Sequence, residues 1–219
     1  MADRWATFDC YGTLIDWDGG VSACLAATFP GADVPALLAR YHEVEPRIQA
    51  DGYHTYRDVL DLCLAELARE QGVELYGRAH ALSESLATWP AHPEVPDELR
   101  AARERGWRLA ILSNCDVDLL QSSLPHLGAP FDVVIVAEQI RSYKPAHAHW
   151  ERFRQETGAD PAHHIHVAAS LFHDIVPTND LGIRNVWINR LDEDAAVPPT
   201  RELPDLRGLG DTLDELQPA

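Results

Sequence analysis

At 219 residues the chain is long enough to bury a sizeable core, in one large domain or two small ones. With 46% hydrophobic and 24% charged residues it has an ordinary globular composition, and its formal net charge of −17 argues against a nucleic-acid partner or an anionic membrane surface. No apolar run approaches the roughly 18 residues of a membrane span, no signal-peptide pattern is seen, and Cys10, Cys24, Cys63 and Cys115 lack CxxC spacing, so reduced thiols and a cytoplasmic location are expected.

Trp5-Ala6-Thr7-Phe8 reads as a short buried strand that runs into Asp9-Cys10-Tyr11-Gly12-Thr13-Leu14. A charge at the end of an apolar strand is costly unless it is satisfied. In open α/β sheets, ligands bind at the carboxyl ends of the strands. Asp9 is therefore a candidate nucleophile, with Tyr11, Gly12 and Thr13 shaping the loop around it. The other reading is a turn aspartate capping Gly12 or Thr13.

No clear strand follows until about residue 92. Segments 21–29, 35–49, 56–71 and 79–87 read as helices, and Leu60, Cys63, Leu64 and Leu67 form a core-facing stripe. Pro90, Pro93 and Pro96 mark the return. Beyond them, apolar runs at 108–112, 133–136, 165–169 and 185–188 read as buried strands. They alternate with helices at 98–105, 117–124, 147–157 and 175–181. The tail is proline-rich near Val197-Pro198-Pro199 and closes in a short helix around Leu213. Strand–helix alternation predicts an α/β fold with a doubly wound parallel sheet. Residues 1–15 and 93–219 would form that core, and residues 16–92 a helical insertion.

Three further stretches carry chemistry. Ser113-Asn114 ends the second strand as Asp9 ends the first. It offers donors to an anion, helped by backbone N–H groups at the next helix start; with Asp116 it equally suits a helix N-cap. In Ser142-Tyr143-Lys144-Pro145, the proline holds Lys144 in extended backbone. Val167-Ala168-Ala169-Ser170-Leu171-Phe172-His173-Asp174 places an acid just before a helix. His163, His164 and His166 lack metal-ligand spacing with acidic partners and read as structural or exposed.

Taken in order, these motifs resemble those of the haloacid dehalogenase superfamily. The resemblance implies a Rossmann-like core whose helical cap closes over the site and excludes water. Asp9 would be the nucleophile, and Lys144 would pair with it and lower its pKa. Superfamily phosphatases carry a second aspartate where this chain has Tyr11. Tyrosine there looks like the L-2-haloacid dehalogenase branch, whose halide leaves without a proton. By the same resemblance, Ser113 and Asn114 would hold the substrate carboxylate and Asp174 would position the hydrolytic water. Trp150 stands where that branch has a tyrosine, implying a more apolar pocket wall.

The fourth motif departs most. Ala169 replaces the magnesium-binding aspartate of the phosphatases and the serine of the dehalogenases, and Leu171 replaces the dehalogenase asparagine. Asp9 and Asp174 alone make a poor magnesium site, so neither a metal nor another cofactor is expected. Ser170 and His173 are candidates to compensate. The branch also uses a cap arginine for the substrate carboxylate; Arg47 is the candidate, Arg40 the runner-up, and Tyr53, Tyr56 and Arg57 are nearby alternatives. The expected activity is hydrolysis of a short 2-haloacid through an aspartyl ester. The alternatives are a magnesium-dependent phosphatase, a hydrolase of another activated carbon centre, or a binding protein on the same fold. The expected partner is a small-molecule carboxylate substrate, with no nucleic acid and no membrane; a homodimer is left open.

Overall fold

In the computed structural model, which describes residues 3–218, the apolar runs become six parallel strands. They are β1 (Arg4–Phe8), β2 (Trp107–Ser113), β3 (Val133–Val136), β4 (His164–Ala168), β5 (Arg184–Ile188) and β6 (Arg201–Leu203), in the sheet order β3-β2-β1-β4-β5-β6. Side chains alternate across each strand. Trp5, Ala110, Leu112 and Ile135 therefore pack on one face with Trp150 and Phe153, while Ala6, Phe8, Leu109, Ile111 and Val167 join the larger core on the other. β6 was not anticipated. It is three mostly exposed residues beyond two prolines, too short to show a period.

The winding reverses about β1, which pairs with β2 on one side and β4 on the other. Phe8 lies opposite both Ile111 and Val167. Asp9 thus emerges level with the segments that lead into Ser113-Asn114 and Ala169-Ser170, at the crevice where such sheets bind ligands.

Four helices lie between β1 and β2: α1 (Trp17–Thr28), α2 (Val34–Ala50), α3 (Tyr56–Gln71) and α4 (Ala81–Ser85). The first three start on side-chain caps. Asp16, Asp33 and Thr55 accept from the backbone N–H groups of Gly19, Ala36 and Asp58. The α3 stripe, including Leu60, Cys63, Leu64 and Leu67, is buried as expected. After the insertion come α5 (Val95–Glu104), α6 (Val117–Ser123), α7 (Ala137–Ile140), α8 (Ala148–Thr157), α9 (Val176–Asp180) and α10 (Leu209–Leu216). The helix expected over 175–181 begins instead as one π-helical turn, Leu171–Ile175, ahead of α9.

Asp116 does not cap α6, the helix it precedes. Its carboxylate accepts from the backbone N–H groups of Tyr56 and Arg57, both at 2.8 Å, at the start of α3. A core loop thereby satisfies two orphan donors of a helix in the insertion. All four cysteines are buried and free. Among the described residues, no helix is long and apolar enough to cross a membrane.

Gly20 makes the tightest contact between α1 and the segment returning to the core. A Cβ there would lie 2.3 Å from the Trp89 ring, and Trp89 is itself buried. Gly20→Ala should therefore destabilise the fold by about 1–3 kcal/mol through overpacking, despite the better helix propensity of alanine. Chemical denaturation checks this, and an unchanged midpoint would show that the ring moves aside freely.

Candidate active site

The loop after β1 turns sharply, with Gly12 at φ +88°, a conformation open to glycine at little cost. Leu14 and Ile15 both donate backbone N–H groups to Cys10 O, closing the turn. Asp9, Lys144 and Asp174 meet at this point, 8%, 2% and 0% exposed. Charges so buried persist only when paired and hydrogen-bonded. Lys144 Nζ donates to Asp9 Oδ1 at 2.8 Å and to Asp174 Oδ1 at 2.7 Å. Thr13 Oγ1 donates to Asp9 Oδ2 at 2.8 Å and accepts from Ala169 N at 2.9 Å, so it ties the first motif to the fourth.

Burial alone would raise the Asp174 carboxyl, but the Lys144 ammonium and the His166 hydrogen bond outweigh it and hold Asp174 below the usual carboxylate range. Burial would likewise lower the Lys144 ammonium, and the charges of Asp174 and Asp9 reverse that and raise it. The site therefore keeps one fixed cation between two carboxylates. Lys144 is also the chain's only lysine, the other 17 cationic side chains being arginines.

A cavity of about 300 Å³ opens over this trio, lined on the core side by Asp9, Tyr11, Ser113, Asn114, Lys144, Ser170, His173 and Asp174. The Tyr11 hydroxyl bonds with Ser123 Oγ at 3.0 Å, and its ring lines the wall. From the helices between β1 and β2 come Trp17, Tyr56 and one face of α2: His42, Glu45, Pro46 and Gln49. Those four α2 residues follow the i, i+3, i+4, i+7 spacing of a single helix face.

Several expectations are corrected here. Arg47 lies off that face. It borders a separate outer cavity with Val44 and Ile48, and its Nε donates to Glu43 O. Arg40 is held outside by Glu70 and Glu43. Arg57 pairs with Asp118, and Tyr53 stacks on Tyr143; of the alternatives, only Tyr56 reaches the cavity. Trp150 lines no part of it, being packed behind the sheet in the second core cluster. Asn114 lines the cavity and also clamps the lysine loop: Oδ1 accepts from Lys144 N at 2.6 Å and Nδ2 donates to Lys144 O at 3.0 Å. The second N–H of Nδ2 is left for another acceptor. Thr13 touches Asp9 and not the cavity.

Two groups went unread in the sequence. Where an arginine was expected, α2 presents Glu45, which accepts from Gln49 Nε2 at 3.2 Å. Burial pushes its carboxyl up to about 7, against the opposing pull of His42 and Tyr56. His166, read as structural or exposed, is buried and bonds to Asp174 Oδ1 at 2.9 Å. The available signal was period-two: His164 and His166 interrupt one face of an otherwise apolar strand.

The residues present do not suit the magnesium site of the superfamily phosphatases. Ala169 offers no carboxylate, and the Lys144 ammonium lies between Asp9 and Asp174 where a divalent ion would need both. Among the described residues, no cluster of three or more His, Cys, Asp or Glu is arranged to hold a metal ion.

Comparison with known proteins gives the family. A family model for haloacid dehalogenase-like hydrolases matches residues 4–175. The (S)-2-haloacid dehalogenase of Pseudomonas sp. (strain YL) is 29% identical over 213 residues, covering 92% of this chain and 90% of that protein. The phosphoglycolate phosphatase of Aquifex aeolicus (strain VF5) is 28% identical over 145 residues, 65% of each chain. Among solved structures, the L-2-haloacid dehalogenase RSc1362 superposes with a TM-score of 0.87 at 27% identity, over 98% of this chain and all of that one. The match runs from β1 through the π-helical turn that carries Asp174, and so spans every strand end of the site: the chain belongs to the haloacid dehalogenase-like hydrolases.

Proposed function

We propose that this protein hydrolyses the carbon–halogen bond of a short 2-haloacid, giving the 2-hydroxy acid through an ester on Asp9. The observation that carries this reading is the buried Lys144 ammonium joining Asp9 to Asp174, with tyrosine rather than an acid two residues after the nucleophile. A carboxylate hydrogen-bonded to a buried ammonium can attack C2 in line with the halogen. The halide leaves with the bonding electron pair and needs no proton, so Tyr11 suffices where a phosphatase needs an acid. Water then adds at the Asp9 carbonyl carbon. Asp174 Oδ2 is buried and has no partner within the protein, which leaves an acceptor for that water.

The substrate carboxylate would lie on the core side, near the Ser113 hydroxyl, the remaining Asn114 N–H and Lys144, because the α2 face is acidic. Residues 16–92 would act as the cap. The likeness to the Pseudomonas (S)-2-haloacid dehalogenase supports the substrate class. The likeness to the Aquifex phosphatase favours phosphoryl transfer less, since Tyr11 and Ala169 remove that chemistry's acid and metal ligand.

The direct test is halide release from 2-chloropropionate, joined to a single turnover in ¹⁸O water with enzyme in excess. Label should enter the peptide containing Asp9 while the first product stays largely unlabelled. Label in the product and none on Asp9 would mean that water attacks carbon directly, which would reject the nucleophile even if Asp9→Asn were inactive.

Lys144→Ala should cost turnover on the order of 10²-fold or more, as loss of a preorganised electrostatic group does, with circular dichroism verifying the fold. A near-native rate would reduce Lys144 to a structural counter-ion.

Glu45 gives a pH signature. His42 and Tyr41 face it from α2, and Tyr56 and Cys63 from α3. A bound anion favours the protonated carboxyl, so the complex holds more protons than the free enzyme. KM for a 2-haloacid should therefore rise as pH climbs through about 7, and Glu45→Gln should flatten that rise. A wild-type KM that stays level across this range would place the substrate away from α2.

A further inference from the structure

One oxygen of Asp174, Oδ1, is reached from a strand rather than from its own loop. Thr7 of β1 lies opposite His166 of β4, and His164 and His166, two residues apart, point to the same face. Thr7 Oγ1 is 2.6 Å from His164 Nε2 and 2.8 Å from His166 Nδ1. His166 Nε2 is 2.9 Å from Asp174 Oδ1. All four side chains are buried, and the Trp150 ring meets the His166 ring edge to face.

Donor arithmetic orders this chain. An ionised carboxylate only accepts, so His166 Nε2 carries a proton in either charge state of the ring. Thr7 has a single hydroxyl proton, so it donates to one histidine and accepts from the other. Without that hydroxyl, both imidazoles lose a buried partner. At the far end, Asp174 Oδ1 receives both Lys144 Nζ and His166 Nε2. Two donors on one oxygen oppose rotation of the carboxylate, and the unpartnered Oδ2 keeps a fixed aim.

We infer that Thr7 and His166 are positioning residues for Asp174, fixing from the sheet a carboxylate that the fourth loop, with Ala169 and Leu171, does not hold. This rests on Asp174 being the group that orients the hydrolytic water. Its consequence is a split between the two chemical steps. Ester formation needs Asp9 and Lys144, which Thr7 does not touch. Ester hydrolysis needs a correctly aimed Asp174.

Thr7→Val keeps the shape and removes the hydroxyl, and Thr7→Ser restores it. Each is mixed in excess with 2-chloropropionate, quenched over time, and followed for chloride and, by mass spectrometry, for the ester on the Asp9 peptide. In Thr7→Val, chloride release should stay near the wild-type rate while ester hydrolysis slows on the order of tenfold, so that ester accumulates. Thr7→Ser should recover hydrolysis, and His166→Phe should repeat the Thr7→Val pattern. Both steps unchanged, or both slowed alike, would overturn the inference and leave the dehalogenation reading standing. Wild-type protein that forms neither ester nor chloride would remove that reading, and the inference with it. Imidazole ¹⁵N NMR of the substrate-free protein gives a separate check: His166 Nε2 should be protonated, with shifts that change in Thr7→Val. An unprotonated Nε2 would overturn the inference without any turnover experiment.

Discussion

One buried ammonium holds the candidate site together. Lys144 Nζ bonds to both Asp9 and Asp174 with almost no access to water. Two carboxylates this close, without a cation, would drive one of them to take up a proton. In the proposed reaction a neutral Asp9 would be no nucleophile, and a neutral Asp174 would be a poor water acceptor. The lysine meets both needs at once, and it does so only while it stays charged in a place that disfavours charge. Asn114 clamps the backbone of Lys144 from the β2 end. Thr13 and His166 supply the further hydrogen bonds that the two carboxylates require.

The insertion shares the larger core with the sheet, and specific hydrogen bonds also tie it to this centre. Asp116, just past β2, takes the first two backbone N–H groups of α3. Tyr143, beside Lys144, bonds to the backbone of His54 just before α3. Both contacts sit at the amino end of α3, so the loops carrying Asn114 and Lys144 meet the insertion at one point. The α2 face that looks into the cavity is set by α3 beneath it, since Tyr56 and Cys63 surround Glu45.

Much of this was legible because it is local. Strand runs ending in Asp9, Ser113 and the 169–170 pair announce a sheet with its chemistry at one edge, and the Tyr-Lys-Pro triplet marks the cation. That Lys144 is the sole lysine is a further signal in the sequence. What was not legible depends on which face of a helix turns inward. α2 carries Arg40, Glu43, Glu45 and Arg47 within two turns, and local pattern cannot say which of them meets the cavity. The spacing of His42, Glu45, Pro46 and Gln49 shows it only once the helix is docked. Trp150 failed as a pocket wall for a similar reason: α8 places it behind the sheet, in contact with Trp5's cluster.

The departures in the fourth motif become coherent when the sheet is considered with the loop. Ala169 and Leu171 remove polar side chains that would reach the site from the loop. In the same stretch, His164 and His166 add polar groups on the strand, and β1 supplies Thr7 to meet them. A buried polar group on a parallel strand is expensive unless it is hydrogen-bonded, and for a partner on the neighbouring strand register fixes the distance. The β1–β4 pairing does this by placing Thr7 opposite His166. Loop residues can shift with the loop, whereas these move only if the sheet does. Asp174 Oδ1 is thus held from the sheet, while Oδ2 is left without a partner in the protein.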